Sequence, residues 1–169
     1  NDINDYAYKI CYSRNNISLK DLTFEGIEMN ISTVLEHLNT CKNKGFVFYN
    51  YSPNPSCNYE RKYFTHENAE IIDGMRTQIE DWYVSKKITD KEYIHLIAIL
   101  IETTSLYSNI PGTYGAFLKN WDSRSLKTLT LNIDIHEKLL CNNDNRNNKT
   151  TNADIRDVVN EVKSCDFMY

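Results

Sequence analysis

Two apolar stripes at helical spacing constrain this chain more than anything else in its sequence. Ile72, Met75, Ile79 and Trp82 recur at intervals of three and four, which lines them along one face of a helix. Thr65 supplies an N-cap, with His66 and Glu67 in the first turn behind it. A second helix is read from Asp90 as its cap, and there Tyr93, Leu96, Ile97, Leu100 and Ile101 make a still wider apolar face. Only residues 85–89 separate the two, so they are expected to pack as an antiparallel hairpin. The stripes themselves read as core, not as a binding surface.

Around the hairpin the pattern is mixed. Residues 6–14 read as a short helix, and residues 32–42 as another with Val34, Leu35 and Leu38 on one face. The run Phe46, Val47, Phe48, Tyr49 reads as a strand, and residues 51–61, with Pro53 and Pro55, as a loop. Residues 128–133 alternate as a strand does, and residues 137–141 are a further strand candidate. Residues 142–151 form a polar loop. An amphipathic helix is expected over 154–162, with Ile155, Val158, Val159 and Val162 inward, and a strand is expected to begin at 167–169. The expected fold class is α+β and mostly helical.

At 169 residues the chain can bury one ordinary core. Its net charge of −4 does not advertise nucleic-acid binding as a whole, although cations gather locally at Arg61 and Lys62, at Lys86 and Lys87, and between Lys119 and Lys127. The five cysteines form no C-x-x-C pair and read as reduced, mostly buried thiols of an intracellular protein, and the histidines have no metal-ligand spacing. The apolar run at 93–101 is too short to span a membrane and contains His95. Phosphate-binding glycine loops and nucleophilic triads are absent. Glu161 and Lys163 with Asp154 or Asp157 have the composition of a metal-dependent nuclease, but they sit in a helical pattern where a strand is needed.

Residues 107–121 carry the most chemistry. Pro111, Gly112 and Gly115 let backbone approach a partner closely, Tyr114, Phe117 and Trp121 offer flat faces, and Lys119 is a cation. Such a segment can stack bases and meet phosphates. It can equally be a loop leading into core, with Phe117 and Trp121 buried. Spacing alone leaves both open.

Residues 63–76 (YFTHENAEIIDGMR) and 109–119 (NIPGTYGAFLK) together resemble the D12 class of DNA adenine-N6 methyltransferases, the S-adenosylmethionine-dependent modification enzymes of restriction systems. The order around them also resembles that family. Asn1 to Asn4 looks like the turn after the second sheet strand, residues 152–155 like a later acidic turn, and residues 166–169 like the lead-in to the catalytic tetrapeptide. The resemblance implies that a helical DNA-recognition insert, residues 46–127, is flanked by partial Rossmann-like elements. Residues 1–45 would belong to the cofactor-binding half, and residues 128–169 would return to the sheet and stop before the catalytic motif.

Roles follow from the resemblance residue by residue. Asp2 is expected at the ribose hydroxyls of S-adenosylmethionine and Asp154 at its adenine amino group, with Ile155 beside the adenine where relatives often carry an aromatic ring. Lys119 and Arg124 are expected at DNA phosphates, Arg61 and Asn109 at base edges, and Tyr114 stacked on a base. The family's glycine-rich cofactor loop is expected before Asn1 and its Asp-Pro-Pro-Tyr tetrapeptide after Tyr169. The chain is therefore expected to be a piece of a longer protein with no catalytic residue of its own and no metal. Implied partners are double-stranded DNA, the rest of the methyltransferase and a cognate restriction endonuclease, in a bacterial or phage cytoplasm. The alternative is a helical protein-interaction module with no DNA or catalytic role, which the acidic balance suits.

Overall fold

The computed structural model describes residues 1–53, 60–112, 115–141 and 148–161. Its elements are α1 (Asp5–Asn16), 3-10 turns at Leu19–Asp21 and Glu25–Ile27, α2 (Ile31–Thr40), α3 (Phe46–Tyr51), α4 (His66–Val84), α5 (Asp90–Leu106), α6 (Ile133–Lys138), α7 (Ile155–Val158) and a closing 3-10 turn at Val159–Glu161. The described residues are mostly helical and contain no strand.

The α4–α5 hairpin forms as its stripes require. Thr65 Oγ1 accepts from the Asn68 N–H at 3.2 Å and caps α4. The cap of α5 is Thr89 and not Asp90. Thr89 closes a capping box with Glu92, whose N–H reaches Thr89 Oγ1 at 3.3 Å while its Oε2 takes the Thr89 N–H at 2.8 Å. Asp90 sits one place inside, where its charge suits the positive end of the helix. Glu92 Oε1 also accepts from the Phe24 N–H, holding the fully buried Phe24 in the left-handed region at φ 49°.

Leu96 to Leu100 are buried without a break. One stripe cannot explain that; α5 is covered on several sides, by α1, α4 and α6. A buried polar chain ties three of these helices together. His95 Nδ1 lies 2.6 Å from Ser13 Oγ, and His95 Nε2 lies 2.7 Å from His136 Nδ1. Ser13 Oγ donates to the Leu139 carbonyl at 3.0 Å, so it accepts from His95 Nδ1–H, and His95 Nε2 in turn accepts from His136. Burial lowers both imidazoles, His95 to about 3, which keeps them neutral near pH 7. Gly74 lets the chain after α2 cross α4: a Cβ there would lie 2.6 Å from Cys41 C and Lys42 Cα.

The expected strands are corrected. Residues 46–49 are helical because the buried carboxylate of Asp73 accepts from the N–H groups of Gly45 (2.9 Å), Val47 (3.0 Å) and Phe48 (2.7 Å). That satisfies the orphan donors of α3 and overrides the β preference of its aromatic and β-branched residues. In residues 128–133, Leu129 and Leu131 are buried as the alternation demands. Their hydrogen bonds go to side-chain amides instead of a neighbouring strand. Asn68 accepts from the Leu129 N–H at 2.8 Å and donates to the Lys127 carbonyl at 2.9 Å. Asn39 takes both sides of Leu131, at 2.8 and 3.0 Å. Ile133 already opens α6, and residues 137–141 finish that helix and the turn after it.

The helix expected over 154–162 exists in shorter form, with Ile155 and Val159 exposed instead of inward. Val162, residues 167–169 and most of the polar loop at 142–151 lie outside the described residues. Of the described cysteines, expected to be mostly buried, Cys11 is exposed and Cys41 and Cys141 are only half-buried.

Candidate functional site

Two acidic turns far apart in sequence are brought side by side by hydrogen bonds between residues 1–3 and 151–153. The Asp2 N–H donates to the Thr151 carbonyl at 3.1 Å, and Asn1 Nδ2 donates to the Ala153 carbonyl at 3.0 Å. Asn152 Nδ2 reaches the carbonyls of Asp2 (2.9 Å) and Ile3 (3.2 Å). Asp2 and Asp154, the two expected cofactor acids, therefore share one edge of the molecule. The Asp2 carboxylate accepts from the Asn4 N–H at 2.8 Å. Asp154 caps α7 and binds Arg156 through its N–H (2.9 Å), Nε (3.0 Å) and guanidinium NH2 (2.7 Å). The hydrogen bonds from Arg156 hold the Asp154 carboxyl below the usual carboxylate range. A carboxylate has about four acceptor sites, so both acids keep capacity for hydroxyl or amino donors. Beside them Ile155 is 61% exposed and offers an apolar side chain at the same edge.

The glycine segment is built on Asn109. This residue is fully buried, and its N–H donates to the Tyr63 carbonyl at 2.8 Å. Its Nδ2 donates to the Leu118 carbonyl at 3.0 Å, and its Oδ1 accepts from the Asp122 N–H at 2.9 Å. The amide is thus engaged inside the protein and does not face solvent. Pro111, Gly112 and Gly115 are exposed, and a Cβ at either glycine would meet nothing within 4 Å. Phe117 and Trp121 are half-buried, between the two sequence readings. Tyr114 lies outside the described residues.

Rings link this segment to α3. Phe46 and Tyr51 (5.9 Å), Tyr51 and Tyr63 (5.4 Å), and Tyr63 and Phe117 (5.1 Å) form a row of edge-on and tilted contacts. Among the expected cations, Lys119 and Arg124 are exposed, with Arg124 Nε 3.8 Å from Asp122. Arg61 is half-buried and donates to the Asn50 carbonyl at 2.9 Å. The described residues hold no cluster of three or more metal-ligating side chains.

Sequence reasoning missed the residues that hold these parts in place. Asn68 braces residues 125–129, Asp73 caps α3, and Asn152 fastens the two ends of the described chain. A signal existed for Asn68: it falls on the same stripe as Ile72, Met75 and Ile79, a polar side chain at a position that must be buried. Such a residue is expected to hydrogen-bond across the core.

No family model matches the chain, and no solved structure does. Among curated proteins it is 42% identical over 125 residues to the Type II methyltransferase M.FokI of Planomicrobium okeanokoites, covering 73% of this chain and 18% of that protein. It is 40% identical over 126 residues to modification methylase LlaI of Lactococcus lactis, covering 73% of this chain and 20% of that protein. With modification methylase StsI of Streptococcus sanguinis it shares 38% identity over 119 residues, 70% of this chain and 17% of that protein. The chain thus spans about a fifth of the length of these three relatives. Over some 70% of its length it is a homologue of the Type II restriction-modification methyltransferases, the family to which residues 63–76 and 109–119 pointed.

Proposed function

We propose that this chain supplies target recognition and part of the cofactor site to an S-adenosylmethionine-dependent DNA adenine-N6 methyltransferase. The observation that carries the reading is the 38–42% identity to three modification methyltransferases. In this reading residues 1–45 and 128–169 belong to a Rossmann-like cofactor half and residues 46–127 to the recognition insert. The cytoplasm is the compartment that fits, and no helix among the described residues is long and apolar enough to cross a membrane.

Asp2 and Asp154 suit the cofactor chemically: each is an acceptor, and a vicinal diol and an aromatic amine are donors. Bound S-adenosylmethionine supplies an electrophilic methyl group. This chain's part is to orient the cofactor, with Ile155 against its flat base. On the DNA side Lys119 and Arg124 neutralise phosphates, Arg61 and Tyr114 contact bases, and the glycine segment lies close to the duplex. A cognate restriction endonuclease accompanies such an enzyme.

Fluorescence anisotropy with duplex DNA tests the recognition half. The chain should bind at low salt, and the double variant Lys119→Ala, Arg124→Ala should flatten the slope of log affinity against log salt by roughly two. No binding at low salt sinks the DNA reading. It would favour a protein-interaction module, for which the open apolar groove of about 790 Å³ between α1, α3, α4 and α5 is the natural surface. Grafting the whole chain into a modification methyltransferase, between the counterparts of Asn1 and Tyr169, tests the rest: methylation of adenine N6 is the expected activity, and it should fall with Asp2→Ala, Asp154→Ala.

A further inference from the structure

We propose that the open groove between α1, α3, α4 and α5 seats an apolar-faced helix from the rest of the methyltransferase. The inference rests on the reading above, in which this chain is one part of a modification enzyme, and it assigns the surface by which that part is held. The groove, about 790 Å³, is lined by Tyr6 and Ile10 of α1, Val47 of α3, Ile72 of α4, and Leu100 and Ile101 of α5. Tyr6 and Ile10 lie four apart, so they share one face of their helix. Ile3 continues that spacing ahead of α1, and both it (66%) and Tyr6 (59%) are more than half exposed. The apolar surface thus runs from the groove toward residues 1–3 and the edge that they share with the exposed Ile155. A contiguous exposed apolar surface of this kind marks an interaction site.

The chemistry of the groove selects its occupant. Among the described lining residues the cation is Arg76, and it is already engaged: it pairs with Glu80 and lies 5.9 Å from the centre of the Tyr93 ring. The acid is Glu102, 3.4 Å from Arg14. A phosphate chain or a charged cofactor finds no spare counter-ion here, whereas apolar side chains gain by leaving water. The walls are helices whose backbone groups are bonded within the helix, so no edge is offered to a strand. What they offer is ridges of side chains, which another helix can fill with anchors three and four residues apart. In the three relatives above, the matching stretch is only 17–20% of the polypeptide. A segment tethered to the same chain competes at an effective concentration on the order of millimolar when the linker is short. That favours it over a free second copy.

The test compares the isolated 169-residue chain with the same chain grafted into a modification methyltransferase, both checked for folding by circular dichroism. Each carries Thr104→Cys, in the half-buried groove lining, or Ser85→Cys, at the exposed turn between α4 and α5. A maleimide reagent labels the protein, and the rate at each position is read by mass spectrometry of its peptide. Position 104 should label readily in the isolated chain and at least about tenfold more slowly in the graft, while position 85 labels alike in both. Adding Ile101→Asp should restore the fast rate in the graft, since an apolar face does not seat over a carboxylate; a rate that stays slow overturns the apolar assignment. An unchanged rate at position 104 in a folded graft overturns the inference and leaves the methyltransferase reading standing, as does equal slowing at both positions. Slow labelling already in the isolated chain, with a dimeric mass, overturns it too and gives the groove to a second copy. A graft that does not fold is a different result, and it removes the reading and this inference together.

Discussion

The braces around α4 and α5 and those joining residues 1–3 to 151–153 are both hydrogen bonds from asparagine side chains to backbone, yet water treats them differently. Asn68 is 1% exposed, and its partners at Leu129 and Lys127 belong to a packed wall. Asn152 is exposed, and so are the carbonyls of Asp2 and Ile3 that it reaches. Inside, a lost partner leaves a polar group with nothing to replace it; at the edge, water takes the vacancy at little cost. The same bond is therefore costly to lose in the wall around Asn68 and cheap to lose at the Asp2–Asp154 edge, which makes the wall firm and the edge soft.

The sharpest way to break this contrast is Asn68→Ala. It strips three hydrogen bonds, including one at 3.2 Å to the Ser125 carbonyl, from a buried position. The expected loss is about 3 kcal/mol, read as a fall in the urea midpoint. A loss under about 1 kcal/mol would mean that water enters the core there, and the distinction between the two regions would collapse.

Acid tests the same interior through a different group. An unfolded histidine takes its proton near pH 6.5, while His95, between Ser13 and His136 and pushed to about 3 mainly by burial, cannot. The unfolded chain thus binds more protons in that window. This stabilising contribution is complete above pH 6.5 and is lost as pH falls toward 3, by about 3 kcal/mol at pH 4.5. His136, also lowered by burial, adds in the same direction. Urea titrations at pH 7.5 and 4.5 should show a smaller acid loss for His95→Gln than for wild type. Equal losses would assign the effect to carboxylates.

The two regions were also unequally legible. Helices α2, α4 and α5 could be read because their apolar residues recur at helical spacing and their caps are local. The extended stretch at Leu129 and Leu131 was half legible: alternation gave the buried face, but nothing local reveals that Asn39 and Asn68 stand in for a strand. For Phe46–Tyr51 local preference pointed the wrong way, since the deciding carboxylate, Asp73, comes more than twenty residues later. Asp2 and Asp154 came from resemblance. That they meet at one edge depends on long-range bonds that no window of sequence contains, and the exposure of Ile155 and Val159 depends on what else covers them.

Asn152→Ala should have a small global effect, below about 1 kcal/mol, because every group it releases is open to water. Its signature is local. Amide exchange at Asp2, whose N–H is held by Thr151, should accelerate, while protection in α5 stays as it was. Faster exchange throughout α5 would show that the edge is coupled to the core and is not soft.

The smallest change in stability, and the most useful for the cofactor reading, is expected from Arg156→Ala. Arg156 is exposed, and its pairing with Asp154 spans only two residues, so global stability should not move. The Asp154 carboxyl, held low mainly by the Arg156 side chain, should rise toward the ordinary aspartate value in an NMR titration. In a graft that methylates, freeing this carboxylate should tighten S-adenosylmethionine binding, because an acceptor now engaged by a guanidinium becomes available to an amino donor. If cofactor binding weakens instead, Arg156 is itself part of the site, and the edge is more organised before binding than its exposed hydrogen bonds imply.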